Sequence, residues 1–348
     1  MKILYISHQK ENSGYGQSCR WYLQALKETG FEISSYPIIL GKPGDFKDDT
    51  EYNKITDCDI VINHTLPHYW SYNGQFDKNI GILLKETDNI EFTDWQQYID
   101  MMDQIWIPNN ANNKYITIPQ PIDINRYTKN IPTMNIDETR GTYVFYTICE
   151  ATKRKNLSGL ITAYYQAFNY SDPVSLILKV NKSGYSTEQV EREVQDLIDK
   201  IAGGCRLYQD KMDYPRVFVI GQNWNDDQIL ALHKFGDCYV CDSYGESINL
   251  SMLDAIGLNK NVITSYNDSC YYQKFGRINI IQSFFESCYG NIDAFPGHVT
   301  SREIWRAADP TNFSVKMREI YETRPKTEND LSLLSFKNIA RLMVEQLT

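Results

Sequence analysis

Two carboxylates, Glu246 and Asp254, stand eight positions apart in this chain. Eight residues span a little over two helical turns, so a helix that begins between them can turn Asp254 towards the loop that carries Glu246. The backbone N–H groups at the N-terminus of that helix can bind an anion. Two hydrogen-bond acceptors beside such a terminus are suited to a ligand that carries both hydroxyl groups and phosphate.

The residues around this pair predict the elements that would position it. A short apolar run at Cys238–Cys241 predicts a buried strand, Asp242–Gly245 a polar turn, Asn249–Gly257 a helix and Asn261–Thr264 a second strand. Apolar runs too short for helices are typical of strands that are covered on both faces. In such sheets ligands bind outside the carboxyl ends of the strands, where the two carboxylates are expected.

The stretch from Glu246 to Asp254 resembles the E-x7-E signature of retaining GT-B glycosyltransferases of the family-4 type, written here as E-x7-D. In that family the first Glu holds hydroxyls of the donor sugar, and the second holds the ribose of the nucleotide. The resemblance therefore implies that Glu246 is catalytic and that Asp254 binds the donor. It also implies a donor-binding segment between them, formed by Ser247, Ile248, Asn249 and Leu250.

Four positions in this stretch depart from the family pattern. Asp254 replaces the second Glu, Ser247 and Asn249 replace the two usual Gly, and Ser251 replaces the usual Pro. Asp keeps the charge but is one methylene shorter, so we expect the nucleoside to sit slightly deeper. Without the family context, Glu246 and Asp254 could also be a helix N-cap carboxylate and an exposed helical side chain.

A basic run, Lys153-Arg154-Lys155-Asn156, lies between a predicted strand and a predicted helix. By composition alone it could be a solvated loop. Family enzymes carry an Arg and a Lys at this place, which neutralise the diphosphate as the nucleotide leaves. The resemblance therefore implies catalytic roles for Lys155 and Arg154. The family's Arg five residues before the Lys is Glu150 in this chain, so Arg154 or Lys153 must supply the second charge.

Two glycine-containing loops follow other predicted strands. Gly14 and Gly16 come after the first predicted strand and before a helix predicted at Gln17–Thr29. This order lets backbone approach an anion at a helix N-terminus, and in the family a Gly amide here faces the diphosphate. Gly221 and Gln222 correspond to the family loop whose backbone reads the base. All four are expected to bind the donor, although a glycine pair after a first strand also makes an ordinary turn.

Two histidines and a glutamate complete the candidate site. His64 follows a strand predicted at Asp59–Asn63. Family members commonly have a His at this place that hydrogen-bonds the donor sugar. The resemblance implies a catalytic role for His64, with His68 as its substitute. Glu86 ends a strand predicted at Lys78–Glu86 and could orient an acceptor hydroxyl or cap the following segment. Glu86 and His68 are assigned to the acceptor side.

No metal site is expected from the sequence. Asp57 and Asp59 form a D-x-D, but they precede a predicted strand, and a metal-binding D-x-D should follow one. Cys238 and Cys241 have C-x-x-C spacing, but within a strand they point to opposite faces. No His/Cys cluster has ligand spacing. The sequence therefore predicts a metal-independent reaction. The resemblance implies a UDP-sugar or a GDP-sugar as the donor substrate, with no other cofactor.

Composition favours a two-domain protein of a reducing compartment. At 348 residues, with 42% hydrophobic and 23% charged, the chain can form two ordinary cores. A net charge of −9 argues against a general nucleic-acid or anionic-membrane surface. Eight scattered cysteines and the lack of a signal peptide favour the cytoplasm. No apolar run reaches the roughly 18 residues that span a bilayer. The richness in Tyr, Asn and Ile fits an AT-rich genome, which leaves a viral origin and a host cytoplasm open.

Repeated strand–helix alternation predicts an α/β protein with two Rossmann-like doubly wound domains that face each other across a cleft, and the resemblance implies that this fold is GT-B. The first domain is predicted at residues 1–140 and the second at 141–330, with the polar stretch Lys129–Gly141 as the linker. The amphipathic tail, residues 331–348, predicts a helix, which in the family crosses back to the first domain. Residues 282–301 match no predicted element.

The resemblance, together with these features, implies a retaining, metal-independent glycosyltransferase that moves a hexose or pentose from a nucleoside-diphosphate sugar to an acceptor hydroxyl. The acceptor stays open among a glycan, a lipid, a small molecule and a nucleic acid, and the oligomeric state stays open too. The alternatives are an epimerase of the same fold, a non-catalytic nucleotide-sugar-binding homologue and a viral DNA-base glycosyltransferase. The acidic net charge disfavours the last, because duplex binding normally neutralises several phosphates.

Overall fold

The computed structural model describes residues 1–38, 57–109, 115–289 and 300–348. The chain divides into two compact units. The first unit comprises Met1–Arg126 and Leu331–Thr348, and the second comprises Tyr127–Asp330. No helix within the described ranges is both long enough and apolar enough to cross a membrane.

The first unit is built on a six-stranded parallel sheet. Its strands are β1 (Lys2–Ser7), β2 (Glu32–Pro37), β3 (Ile60–His64), β4 (Lys78–Ile82), β5 (Gln104–Ile107) and β6 (Ile116–Thr117). The helices in the described part of this unit are α1 (Gly14–Lys27), α2 (Gln96–Asp100) and the C-terminal helix α8 (Phe336–Leu347). The strand order is β2-β1-β3-β4-β5-β6, so the chain reverses its direction of travel across the sheet between β1 and β3. The buried face of α8 packs against α1.

The second unit repeats this plan with another strand order. Its six parallel strands are β7 (Tyr143–Glu150), β8 (Val174–Asn181), β9 (Arg216–Ile220), β10 (Cys238–Cys241), β11 (Asn261–Ser265) and β12 (Asn279–Ile281). Outside residues 290–299, the helices of this unit are α3 (Leu157–Ala167), α4 (Thr187–Cys205), α5 (Asp226–Phe235), α6 (Leu250–Gly257) and α7 (Pro310–Thr323). The order β12-β11-β10-β7-β8-β9 is that of a dinucleotide-binding Rossmann sheet. The prediction of two doubly wound parallel-sheet domains is confirmed.

The central strands of the second unit are apolar because helices cover both of their faces. Every residue of β10 and β11 is buried. Helices α3 and α7 pack together on one of these faces, and their buried side chains join those of β7 and β8 in one core cluster. The carboxyl ends of these strands are therefore held in fixed register, which is what a site at that edge requires.

Several element boundaries differ from the predictions. Helix α1 begins at Gly14 instead of Gln17, because the Ser13 hydroxyl caps it by accepting a hydrogen bond from the Gly16 N–H at 3.1 Å. The predicted loop glycines therefore lie in the first helical turn. The tail is not one helix, because the backbone at Leu334 and Ser335 pairs with Ile122 before α8 begins.

The segment that matched no predicted element contains a strand. Ser283–Ser287 (β13) pairs in antiparallel fashion with Ile304–Ala308 (β14). The division between the two units falls after Arg126, earlier than the predicted boundary at residue 140. Ile131, in the predicted linker, packs on Leu230 of α5, so this stretch belongs to the second unit.

Candidate active site

The candidate active site lies where the strand order of the second sheet reverses. Strands β7 and β10 are hydrogen-bonded neighbours, and the chain leaves each of them at the same edge of the sheet. The loop after β7 carries Lys153–Lys155, and the loop after β10 carries Asp242–Glu246. In open α/β sheets ligands bind outside the carboxyl ends of the two strands at this switch point.

The structure brings together three of the predicted catalytic side chains. The ammonium of Lys155 donates to Glu246 Oε1, and the guanidinium of Arg154 lies 3.2 Å from Glu246 Oε2. Arg154 also donates to the Gly245 carbonyl at 2.6 Å. The Glu246 side chain is 6% exposed, so the cluster is largely withdrawn from water. Burial alone would raise the pKa of Glu246, but the charges of Lys155 and Arg154 outweigh it and hold the pKa below its ordinary value.

The basic loop is fixed to the acidic loop by a second contact that the sequence did not reveal. Asn156 has a left-handed backbone, with φ of 45°, and its side-chain oxygen caps α3 by accepting from the Gly159 N–H at 3.1 Å. Its Nδ2 donates to Asp242 Oδ2 at 2.8 Å. A side chain at position 159 would overlap both polar groups, so a glycine is needed there. Burial raises the pKa of Asp242 well above its ordinary value.

The N-terminus of α6 is capped by Asn249, one of the positions that departs from the family pattern. Its Oδ1 accepts from the Met252 N–H at 3.0 Å and from the Tyr239 hydroxyl at 3.2 Å. Its Nδ2 donates to Cys241 Sγ at 3.1 Å. The residue is buried, so Asn at this position ties the helix start to the end of β10. A glycine could not make these contacts.

Asp254 is held by a different set of neighbours from Glu246. It is buried on α6, and its Oδ1 accepts a hydrogen bond from the Tyr127 hydroxyl at 2.9 Å. Gly257, one turn later, leaves room for the Tyr127 ring, because a Cβ there would overlap the ring atoms. Asp254 is therefore not the exposed helical side chain that composition alone would also allow.

The other residues of the second unit that are predicted to bind the donor substrate differ in their burial. Ser247 and Ile248 are buried, and Leu250 is partly buried at the first position of α6. Gly221 follows β9, and its N–H donates to Glu191 Oε1 at 2.8 Å, while Gln222 is exposed. The Glu150 side chain contacts a different loop. Its Oε1 accepts from the Ser183 N–H at 3.2 Å.

A buried lysine near these loops was missed from the sequence. Lys179 on β8 is 5% exposed, donates to the Val180 carbonyl at 3.3 Å and lies 5.4 Å from the ring centroid of Trp224. Burial lowers the pKa of Lys179. The only signal in the sequence is a single Lys in the apolar run VSLILKV.

The predicted residues of the first unit lie at the carboxyl edge of its own sheet. His64 is the last residue of β3 instead of the first loop residue, and it is fully buried. Gly16 sits so close to the Glu11 carbonyl that any Cβ would overlap it, whereas Gly14 has open space around it. His68 lies in a short 3₁₀ turn, Pro67–Tyr69. Glu86 follows β4 at a distance of four residues and is partly buried, so it does not end the strand as predicted.

No family model matches the chain, and the search of curated proteins finds no matching sequence. Solved structures do match over nearly the whole chain. HepE of Anabaena, solved with UDP and glucose, is 12% identical, with 99% of this chain and 95% of that chain covered and a TM-score of 0.57. The α,α-trehalose-6-phosphate synthase of Burkholderia multivorans is 10% identical, with coverages of 99% and 96% and a TM-score of 0.61.

A third match is a trehalose-6-phosphate synthase structure from work on enzymatic glycosyl transfer with retention. It is 10% identical, with 100% of this chain and 99% of that chain covered and a TM-score of 0.60. At sequence identities of 10% to 12%, these matches show a shared fold. The predicted GT-B fold is confirmed.

Proposed function

We propose that this protein is a glycosyltransferase that takes a sugar from a nucleoside-diphosphate sugar and transfers it, with retention of configuration, to an acceptor hydroxyl. The observation that carries the proposal is the buried cluster of Glu246, Arg154 and Lys155 at the switch point of the second sheet. The fold match to HepE, solved with UDP and glucose, supports a uridine nucleotide as the first donor to test.

The charges of the cluster suit a leaving diphosphate. During the reaction the bond between the sugar C1 and the phosphate oxygen breaks, so negative charge grows on the diphosphate while positive charge grows on the sugar. Lys155 and Arg154 carry two positive charges against the one negative charge of Glu246, which leaves the cluster attractive to an anion. A preorganised cation in a site shielded from water stabilises such charge far better than one in water.

The lowered pKa of Glu246 keeps it ionised near neutral pH, so it acts only as a hydrogen-bond acceptor. A carboxylate in that form can hold donor-sugar hydroxyls and can also favour the positive charge that develops at C1. The acceptor oxygen forms the new bond to C1, and its proton passes to the departing phosphate oxygen. Asp254, already positioned by Tyr127, is the proposed ribose acceptor.

The test is a donor screen on the purified protein. UDP-glucose, UDP-galactose, UDP-N-acetylglucosamine and GDP-mannose are each incubated with a set of carbohydrate, lipid and small-molecule acceptors, and products are identified by mass spectrometry. Transfer with retained anomeric configuration supports the proposal, and Lys155→Ala should abolish most of it while the exposed Lys153→Ala does not. Conversion of the donor to an epimer without an acceptor would replace the proposal by the epimerase alternative. Tight nucleotide binding without any product would favour the non-catalytic alternative.

A further inference from the structure

The switch point of the first sheet holds a second set of buried polar groups. Strands β1 and β3 are neighbours with Ser7 opposite His64, and the strand order reverses between them. His8 follows β1 directly, so both imidazoles lie at the carboxyl edge where ligands of doubly wound sheets bind. The rings of His8 and His64 each lie 5.5 Å from the ring of Tyr15, measured between centroids.

Three polar atoms of this edge are buried without a hydrogen-bond partner in the described structure: His8 Nε2, Asn63 Nδ2 and His64 Nε2. His8 directly follows β1, and Asn63 and His64 are the last two residues of β3. Both histidines are 0% exposed. Buried polar atoms in folded proteins are normally hydrogen-bonded, because a buried donor or acceptor without a partner lowers the stability of the fold. Several such atoms at one sheet edge indicate a binding site for a polar ligand.

The hydrogen bonds at Nδ1 determine which nitrogen of each ring carries the proton. His8 Nδ1 lies 3.0 Å from the Ile38 carbonyl, which can only accept, so Nδ1 is protonated. The Tyr5 hydroxyl gives its one proton to the Cys19 carbonyl at 3.0 Å. The 2.7 Å contact between Tyr5 and His64 Nδ1 therefore has the imidazole as donor.

Both rings are neutral near neutral pH. Burial, with a smaller contribution from His8, lowers the pKa of His64 to about 3. Burial also lowers the pKa of His8, although its bond to the Ile38 carbonyl partly offsets this effect. A neutral imidazole protonated at Nδ1 has a bare lone pair at Nε2. Each ring therefore presents one hydrogen-bond acceptor and no charge.

We propose that His8 and His64 together accept hydrogen bonds from two hydroxyl groups of one carbohydrate ligand. The inference rests on the proposed function and deepens it by assigning the unassigned His8 as a sugar-binding residue of the first unit. Two bare nitrogen acceptors require two donors on the ligand, which a diphosphate or a carboxylate cannot supply. The Asn63 amide is a donor at the same edge and can pair with a ring or hydroxyl oxygen of the sugar.

The first experiment determines the tautomers of His8 and His64, and it does not require the protein to convert a substrate. Full-length protein labelled with ¹⁵N-histidine is observed by long-range ¹H–¹⁵N NMR, with His8→Asn and His64→Asn used to assign the two rings. Both should show a protonated Nδ1 and a bare Nε2 at pH 7. Either ring found as the Nε2–H tautomer or as imidazolium overturns the proposal.

The second experiment adds four groups of probes to the labelled protein: UDP alone, UDP-glucose or UDP-galactose, GDP-mannose, and free glucose, galactose or mannose. A sugar-dependent shift of both Nε2 signals is expected. Its appearance with nucleotide sugars alone identifies the donor sugar as the ligand, and its appearance with free hexoses identifies a separate carbohydrate. The absence of a shift at both nitrogens with every sugar probe overturns the proposal.

Two variants separate the Nε2 contact from the packing of His8. His8→Asn keeps a side-chain donor for the Ile38 carbonyl and removes the Nε2 acceptor, whereas His8→Gln places an amide oxygen near the Nε2 position. His8→Asn should weaken binding of the responding sugar probe by about five- to tenfold, which is the scale of one lost hydrogen bond, and His8→Gln should restore part of it. Affinity for UDP alone should not change. Equal affinity in wild type and both variants contradicts the proposal. Failure of the donor screen leaves these NMR and binding results unaffected, so the two proposals fail separately.

Discussion

Asn156 donates a hydrogen bond of 2.8 Å to Asp242 and so joins the loop after β7 to the loop after β10. The same asparagine caps α3, so the helix start, the basic loop and the acidic loop form one connected unit. Lys155, which contacts Glu246, is the residue immediately before it. Two residues outside the cluster of Glu246, Arg154 and Lys155 therefore join the two loops that carry the cluster.

The first prediction concerns the ionisation of Asp242. Burial raises its pKa above the value of about 3.9 found in unfolded chains, so the folded protein retains a proton that the unfolded chain loses. The free energy of unfolding of the wild type should fall as pH rises from about 4 towards the folded pKa. Asp242→Asn cannot ionise and can still accept from Asn156. Its melting temperature relative to wild type should therefore increase between pH 4 and pH 8, as followed by calorimetry.

The matched control for this experiment is Asp196→Asn, an exposed carboxylate on α4. Its melting temperature should follow that of the wild type over the same pH range. A constant difference between Asp242→Asn and wild type at every pH would show that Asp242 is ionised alike in both states.

The second prediction ranks the cations of the basic loop. Lys155 and Arg154 both contact Glu246, whereas the Lys153 side chain is exposed. Lys155→Ala should raise the barrier to transfer by about 2–4 kcal/mol, in line with the loss of one preorganised charge-stabilising group. Arg154→Ala should cost less, and Lys153→Ala should be mild. Values of kcat and KM for the three variants decide the order, and kcat should fall more than binding weakens. Wild-type rates in Lys155→Ala would rule out this role for the loop.

The third prediction concerns Glu246→Gln. The change keeps the shape of the side chain but removes the charge that pairs with Lys155 and Arg154. Turnover should fall by roughly a hundredfold because a transition-state contact is lost. Affinity for UDP should be unchanged or stronger, since both cations lose their anionic partner. Calorimetric titration with UDP, beside the exposed control Glu328→Gln, tests this, and a parallel loss of UDP affinity would contradict it.

The fourth prediction is that transfer survives metal removal. The D-x-D acids lie at the amino end of the first sheet, where Asp57 pairs with the ammonium of Lys2 and Asp59 accepts from the Lys2 N–H at 2.7 Å. Ligands bind at the opposite edge in sheets of this kind. Initial rates should be equal with and without excess EDTA. A rate lost in EDTA and restored by Mn²⁺ would require a different mechanism.

The parts of the fold that depend on local patterning were predictable from sequence. The apolar run Cys238–Cys241 forms β10 with the predicted bounds. The roles that the resemblance implied for Lys155 and Glu246 put both residues in one site, and the structure brings the two side chains together. The strand bounds follow from periodicity, whereas this pairing depended on the resemblance.

The contacts that sequence reasoning missed join residues far apart in the chain. The sequence does not show that Tyr127 contacts Asp254 or that Asn156 contacts Asp242, because each contact depends on how the helices pack on the sheet. His8 was missed for a related reason. A single histidine after a strand carries no pattern, and its importance appears only when β3 brings His64 beside it.

The last prediction tests the fit between Gly257 and Tyr127. A Cβ at position 257 would overlap the Tyr127 ring, so Gly257→Ala should lower the free energy of unfolding by about 1–3 kcal/mol, although Ala is the better helix former. Gly203→Ala is the control, since Gly203 lies in α4 with no atom within 4 Å of its added Cβ, and it should be neutral or stabilising by up to about 1 kcal/mol. Because the Tyr127 hydroxyl holds Asp254, Gly257→Ala should also weaken binding of UDP, and Gly203→Ala should not. Urea unfolding and UDP titration of both variants measure the two effects. Equal stability of the two variants would show that the ring of Tyr127 moves aside at little cost, and that it does not hold Asp254 rigidly.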